Sequence, residues 1–279
     1  MTSHRHEMST HGVGCVREVM SATHDRGEEM NKCSGILVGM AALATGAIGL
    51  APALGTTAAA CPLPTFGPGS TYQPSINPAG FTPNVTNRLF PLRPGRTLVY
   101  TGTKDGKKAL NLVTTTKRTR RIDGVTTRVV EDRLYLNNVL EERTSDYYAQ
   151  DRCGNVWYFG EDTATLDKSG QVVSTEGSFH AGVNGAQPGV FMQAHPQVGL
   201  RFRQEWSQGH AEDTFRVISR SARFTVPLGS FRGALRTEES TDLEPAVLDN
   251  KYYVAGIGEI AELSVKGPKE ALRLVEVIS

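Results

Sequence analysis

From Phe90 to the end of the chain, runs of alternating apolar and polar residues are separated by pairs that favour tight turns. The runs are rich in Val, Thr, Tyr and Leu, which favour strands, as in RTLVYTGT, VTTRVVEDRLYL and NVWYFG. Turn pairs of the kind that supplies positive φ occur at Asp105-Gly106, Asp123-Gly124, Asn137-Asn138, Gly154-Asn155 and Ser169-Gly170. The pattern predicts an all-β domain over residues 88–279, a curved antiparallel sheet or partly open β-barrel built from long hairpins.

The stretch NVWYFGEDT shows how the pattern assigns faces. On a strand, Tyr158 points to one side and Trp157 and Phe159 to the other. Both sides are large and apolar, so we expect a strand that is covered on both faces. The acids Glu161-Asp162 that follow are predicted to lie in a turn where this strand ends.

The chain opens with a segment that does not belong to this domain. Residues 34–60 are nearly all small or apolar and end in three alanines, the pattern of a secretory signal peptide at 30–60. The apolar core, Ile36–Leu50, is shorter than the about 20 residues that a membrane-spanning helix needs. Acidic residues precede it, so we interpret 1–29 as a mis-annotated upstream extension.

Residues 61–87 contain six prolines among Gly, Ser, Thr and Asn, which predicts a disordered tether. Cys61 directly follows the alanines, where bacterial lipoproteins carry their acylated cysteine, and we predict lipidation there. The usual leucine three residues earlier is Ala58 here, so two alternatives stay open: a disulfide between Cys61 and Cys153, and two unpaired thiols.

Composition and charge leave most functions open but count against nucleic-acid binding. The 279 residues are 39% hydrophobic and 21% charged, with a net charge of +1, so no overall field favours nucleic acid. Residues 104–133 form a local basic patch that lacks the interleaved aromatics of a nucleic-acid platform. It is either the solvated face of an edge hairpin or a contact for anionic headgroups or a cell-wall polyanion. We predict no nucleic-acid partner.

Two acidic stretches suggest an enzymatic alternative. The carboxylates concerned are Glu161, Asp162, Glu205, Glu212 and Asp213. Acids from distant strands could converge on a substrate or a cation such as Ca²⁺. Their spacing matches no known metal loop, so we predict no metal site.

Three histidines, His180, His195 and His210, follow the signal region at intervals of fifteen. Three histidines can hold zinc, but none lies in an H-E-x-x-H frame. We expect isolated surface histidines.

Several blocks resemble those of a family of secreted bacterial proteins, often lipoproteins, without an established activity. They are LFPLRPGRTLVY, VVEDRLY, DYYAQDRCGNVWYFGEDT, STEGSFHAGVNGAQPGVFM, FRQEWSQGHAEDTFRV and TDLEPAVLDNKYYVAGIGEI, within about residues 88–265. The resemblance implies export and transfers no catalytic residue. The family pattern D-x-D-G-N-V-W reads DRCGNVW here, so Cys153 departs from it, which counts against the disulfide. The three histidines depart from the family as well.

These observations favour an exported envelope protein, periplasmic, membrane-anchored or extracellular. Our first hypothesis is a non-enzymatic binding or carrier module, without a cofactor, whose concave β-face holds an apolar ligand or an envelope protein. A lipid anchor would also bring it to the membrane surface. The aromatics predicted for that face are Trp157, Phe159, Trp206, Tyr252 and Tyr253. The alternative is an exported hydrolase or metal-dependent enzyme that uses Glu161, Asp162, Glu212 and Asp213.

Overall fold

The computed structural model describes residues 61–279, so the predicted upstream extension and signal peptide lie outside the described residues. Within this range, regular structure consists of β-strands and two short 3₁₀ turns, Gly69–Thr71 and Pro78–Gly80. No helix in residues 61–279 has the length and apolar character to cross a membrane.

Sixteen strands follow one another along the described chain. They are β1 (Phe81–Thr82), β2 (Thr97–Lys104), β3 (Lys107–Ile122), β4 (Val125–Leu136), β5 (Val139–Asp151), β6 (Val156–Leu166), β7 (Val172–Ser174), β8 (Phe179–His180), β9 (Gln187–Met192), β10 (Arg201–Arg203), β11 (Glu205–Trp206), β12 (Asp213–Val226), β13 (Gly229–Thr241), β14 (Leu248–Val254), β15 (Gly258–Lys266) and β16 (Glu270–Ile278).

The strands pair antiparallel in the order β10-β12-β13-β14-β15-β16-β2-β3-β4-β5-β6-β9-β11, with β1, β7 and β8 added at the side. This sheet curls into a nearly closed barrel with one unsealed seam. β10 and β11 stand at its two ends, and only Gln204 separates them in the chain. The predicted all-β fold and its curved, barrel-like sheet are confirmed.

The turn pairs explain the hairpins. Asp105, Asp123 and both residues of Asn137-Asn138 have positive φ, and each stands between two paired strands. Such residues match the twist of the strands that they join. The remaining pairs, at Gly154 and Gly170, likewise coincide with chain reversals.

One segment rich in glycine and proline also contributes to the sheet. Gln187–Met192 forms β9, which pairs with β6. The basic residues 117–121 lie beyond Thr114, the last residue of β3 that pairs with β2, so they are exposed on a β3–β4 extension with one unpaired side, as expected for a solvated edge hairpin.

Residues 61–87 pack on the barrel, which corrects the predicted tether. Tyr72 is buried, and its hydroxyl donates to the Pro188 carbonyl in β9 at 3.1 Å. Gly69 leaves no space for a side chain, because a Cβ there would lie 1.9 Å from the ring of Trp206. Apolar residues between the prolines supply the contacts, and proline lowers the entropy lost on ordering. We call residues 61–80 the strap.

The strap runs outside the strands that close the barrel. The guanidinium of Arg203 in β10 donates from Nε to the Gly67 carbonyl at 3.1 Å. Phe66 lies under the guanidinium groups of Arg201 and Arg203, at 4.3 and 5.6 Å from its ring centre. The segment that looks like a spacer in the sequence therefore covers the chain where the sheet ends meet.

Candidate functional site

A cavity of about 250 Å³ lies inside the barrel. Inward side chains of the long strands line it, together with residues 90–96, which precede β2. Its polar lining is strongly acidic. The carboxylates are Asp132, Asp146, Glu161, Glu205, Asp213, Glu239, Glu259 and Glu262, whereas the cations are Arg96 and Lys251.

An aromatic wall forms one side of the cavity. Tyr148 and Tyr158 face each other in a stacked arrangement with ring centres 4.8 Å apart. Phe191 lies 4.9 Å from Tyr148, and Phe90 lies 4.6 Å from Phe191. The cavity therefore combines negative charge with exposed aromatic faces, the two features that bind organic cations.

A bulge in β6 aims Glu161 into the cavity. Tyr158 points inward, and simple alternation would turn Glu161 outward, but the β5–β6 register shifts next to Gly160. Gly160 has φ 144°, and a Cβ there would lie 2.3 Å from the Phe179 carbonyl oxygen. Only glycine fits this close approach of β6 and β8.

Tyr158 joins two carboxylates. Its hydroxyl lies 2.6 Å from Oδ1 of Asp146 and 3.1 Å from Oε2 of Glu161, and its one proton can serve only one of them. Burial raises the pKa of both carboxyls, and the negative charge of Asp146 raises that of Glu161 further.

Glu205 and Asp213 complete this group. The Glu205 residue is only 7% exposed, and burial and then the charge of Asp213 hold its pKa well above the ordinary value. Asp213 keeps an exposed surface at the start of β12, but the protein around its carboxyl excludes enough water to raise its pKa to about 6. None of the four carboxylates Asp146, Glu161, Glu205 and Asp213 forms an ion pair with a described residue. We call them the quartet.

Two of the remaining four lining acids are paired with Lys251. The Lys251 ammonium lies 3.2 Å from Oε2 of Glu239 and 3.5 Å from Oε1 of Glu262. Asp132 has no ion pair within the described residues, and burial, with the charge of Asp146, raises its pKa to about 8. Its Oδ2 accepts a hydrogen bond from the Asn111 amide at 3.3 Å.

The structure separates the predicted acids. Glu161, Glu205 and Asp213 converge in the cavity, whereas Asp162 and Glu212 do not line it. The prediction that Glu161 and Asp162 lie in a turn is wrong, because β6 continues to Leu166.

Asp162 lies on the opposite face of β6 from Glu161 and pairs with basic side chains there. Its carboxylate contacts Arg120 at 2.5 Å and Nε2 of His180 at 2.9 Å, and the Tyr147 hydroxyl donates to it at 2.5 Å. Burial alone would raise the pKa of Asp162, but these partners outweigh it and lower the pKa. Glu212 is buried in a turn, where it accepts the Gly209 N–H at 2.8 Å.

The five predicted aromatics share no concave face, and none lines the cavity. Trp157 and Phe159 lie on the outer side of β6, where Phe81 contacts both rings edge-on. Trp206 packs against the strap. Tyr252 in β14 stacks on Phe224 in β12. Tyr253 is buried, with its hydroxyl 3.3 Å from Glu239.

Sequence reasoning missed most of the cavity lining. The signal was present in the strand alternation: Val130 and Asp132 share a face of β4, and Asp146 and Tyr148 share a face of β5. Charged residues on strands face solvent in most sheets but not in a barrel with a polar interior, so alternation alone does not identify an acidic cavity.

The cysteines form a disulfide: Cys61 and Cys153 are bonded, and their Cα atoms are 6.0 Å apart. This is one of the alternatives left open by the sequence. Lipidation of Cys61 would need the same sulfur atom, so one molecule cannot carry both. Within the described residues, the one set of side chains close enough to hold a metal is Cys61, Asp151 and Cys153, and the disulfide consumes both of its sulfurs.

The histidines lie apart. His180 pairs with Asp162, and Nδ1 of His210 lies 3.4 Å from Glu176. His195 is exposed in the loop after β9. They do not come together as a zinc ligand set.

No protein-family model and no curated protein matches the chain. Two solved structures are similar to it. A candidate exported protein with a YmcC-like fold from Bacteroides fragilis has a TM-score of 0.41 and 11% identity, over 69% of this chain and 100% of that one. A candidate lipoprotein from Parabacteroides distasonis has a TM-score of 0.37 and 7% identity, over 68% of this chain and 97% of that one. At these values the likeness carries no argument about function.

Proposed function

We propose that this chain is an exported binding protein whose barrel takes up a small organic cation with an apolar part. The quartet carries the proposal: its four carboxylates line one cavity and, like Asp132 and Glu259, form no ion pair with a described residue, beside the stacked rings of Tyr148 and Tyr158. An ammonium group would pair with carboxylates of the quartet, and the aromatic wall would hold the apolar part. The ligand is thus amphipathic and cationic, rather than purely apolar as the sequence suggested.

Lys251 supports this assignment. Its ammonium is already held by two carboxylates of the same lining, Glu239 and Glu262. The interior of the barrel therefore binds an alkylammonium group that belongs to the chain itself. The quartet offers similar chemistry with no such group in place.

The enzymatic alternative receives less support. Two of its four carboxylates, Asp162 and Glu212, lie outside the cavity that contains Glu161 and Asp213. Acid–base chemistry needs both groups across one substrate. Asp162 and Glu212 do not meet that condition, which leaves Glu161 and Asp213 as the only pair of the four in one cavity.

Export is supported by the signal-peptide pattern at 30–60 and by the disulfide. Disulfides form and persist in oxidising compartments such as the periplasm or the extracellular space. The protein would meet its ligand there.

Isothermal titration of the oxidised protein tests the proposal with two probes of one shape. Phenethylamine carries an ammonium group and a ring, and 3-phenylpropionate carries a carboxylate and the same ring. We expect phenethylamine to bind at least about tenfold more tightly, since charge-assisted contacts are worth about 1.5–3 kcal/mol. Its affinity should rise from pH 5 to pH 8, as the quartet ionises while the amine stays protonated. Equal affinity for the two probes, or no binding of the amine, would contradict the proposal.

A further inference from the structure

Besides the quartet, the cavity lining contains a buried arginine without a carboxylate partner. Arg96 is only 6% exposed and lines the cavity. Its one side-chain hydrogen bond runs from Nη1 to the Gly256 carbonyl, at 3.4 Å. Among residues 61–279, no carboxylate lies within ion-pair distance of it, although eight carboxylates line the same cavity.

A buried arginine without a carboxylate is costly. Burial and then the nearby charge of Arg93 lower its pKa, so its surroundings oppose the positive charge. Arginine presents a planar set of donors that matches carboxylates and phosphates in two-point contacts. An anionic group at this place would complete the pairing that the chain itself leaves open.

The two charged poles lie on different parts of the lining. Arg96 directly precedes β2 and contacts Gly256 in the β14–β15 turn, whereas the quartet comes from β5, β6, β11 and β12. Phe90 and Leu98 come from the same stretch of chain as Arg96 and also line the cavity. A ligand could therefore meet a positive pole, an apolar wall and a negative pole in one site.

We propose that Arg96 forms an anion subsite of this cavity and that the ligand is a zwitterion, with a carboxylate or similar oxyanion besides its ammonium group. The inference rests on the proposed function, which supplies the cationic end. It adds that one small molecule engages both poles. The class would include amino-acid-like compounds with an apolar side chain.

Phenylalanine tests this directly, because it is phenethylamine with an added α-carboxylate. We expect the wild-type protein to bind phenylalanine at least about tenfold more tightly than phenethylamine, since a contact between charged groups is being added. In the Arg96→Gln variant this preference should fall to about twofold or less. Phenethylamine itself should bind Arg96→Gln at least as well as wild type, since a positive charge has left the cavity.

Arg93→Gln is the matched control, because Arg93 belongs to the same segment, is exposed and does not line the cavity. It should keep the wild-type ratio of the two affinities. Binding of phenethylamine with no preference for phenylalanine would overturn the zwitterion and leave the cationic site standing. An unchanged ratio in Arg96→Gln would overturn the role of Arg96. Failure of both amines to bind would overturn the proposed function, and this inference with it.

Discussion

Glu161 and Asp162 are neighbours in the chain, but their surroundings shift the pKa values of the two carboxyls in opposite directions. Glu161 points into the cavity, where burial and Asp146 raise its pKa, while Asp162 points outward to Arg120 and His180, and its pKa is lowered. The bulge at Gly160 decides which of the two acids faces the cavity, because simple alternation from Tyr158 would turn Glu161 outward. A carboxylate thus works against folding on one face of β6 and for it on the other.

Substitutions at these two positions should have opposite effects. Burial raises the folded-state pKa of Glu161, so this carboxyl opposes folding at pH 8, and we expect Glu161→Gln to raise the Tm by a few degrees. The affinity for phenethylamine should fall at least about fivefold, because the quartet loses a charge. Thermal unfolding and titration calorimetry measure both.

Asp162→Asn is the control for that variant. It loses an exposed ion pair and a charged hydrogen bond, worth about 1–2 kcal/mol, so the Tm should fall. Its affinity for phenethylamine should stay within about twofold of wild type, since Asp162 does not line the cavity. A loss of affinity in Asp162→Asn equal to that in Glu161→Gln would refute the division between the faces.

The sequence predicted the faces of β6 correctly up to the bulge. Tyr158 and its neighbours Trp157 and Phe159 do point to opposite sides, and both sides are buried. Beyond Gly160 the prediction failed, because a bulge depends on how closely Phe179 of β8 approaches, a tertiary contact that local alternation does not encode. The carboxylates were therefore assigned to a turn.

The strap is the element that the sequence hid most completely. Six prolines in residues 61–87 indicated a chain without a core, yet Tyr72 of the strap packs against β9, and β1, which follows the strap, packs against β5 and β6. The hairpins could be predicted because their turn residues act locally. The strap could not, because its stability comes from surfaces that exist only once the barrel has formed.

The disulfide fixes the start of the strap to the β5–β6 turn, 92 residues away. Breaking it in a Cys153→Ser variant should cost about 2–5 kcal/mol of unfolding free energy, as expected for a long closed loop. Hydrogen exchange of residues 61–80 should accelerate more than that of β3 and β4. Unchanged exchange in the strap would show that its packing alone holds it.

The covalent state of Cys61 is settled by mass. We expect the intact protein from its native source to be two mass units lighter than its reduced form and to bear no acyl chain, with no thiol that reacts before reduction. An acylated Cys61 would instead leave Cys153 free and reactive. That result would remove the disulfide from the native molecule and restore the predicted lipid anchor.

At the scale of the whole molecule, charge is separated between inside and outside. The net charge is only +1, yet eight carboxylates face one cavity with two cations, while basic residues of β3 such as Lys117 and Arg121 are exposed to solvent away from that cavity. Composition averages over both surfaces, so it could not reveal an acidic interior. Barrel closure, which was predictable in outline, decides which surface each charge occupies.

This separation predicts how stability depends on pH. Asp213 and Asp132 have folded-state pKa values of about 6 and about 8, above the value of about 3.9 for an unfolded aspartate. Between these limits the folded state binds more protons than the unfolded state, so the unfolding free energy falls as pH rises. We expect the ligand-free protein to have a Tm several degrees higher at pH 5 than at pH 8, where each kcal/mol is worth about 2–4 °C.

The Asp132→Asn variant tests whether the cavity carboxylates cause the pH dependence of the Tm. Asp132→Asn keeps the shape of the side chain and cannot ionise, so its loss of Tm between pH 5 and pH 8 should be smaller than that of wild type. Asp167 is exposed, outside the cavity, and its pKa is lowered by hydrogen bonds from Ser169 and Gln171, so Asp167→Asn should leave the slope above pH 5 unchanged. If stability instead rose from pH 5 to pH 8 in the wild type, the interior carboxylates would have to be ionised partners of cations, and the cavity could not be the cation site proposed for it.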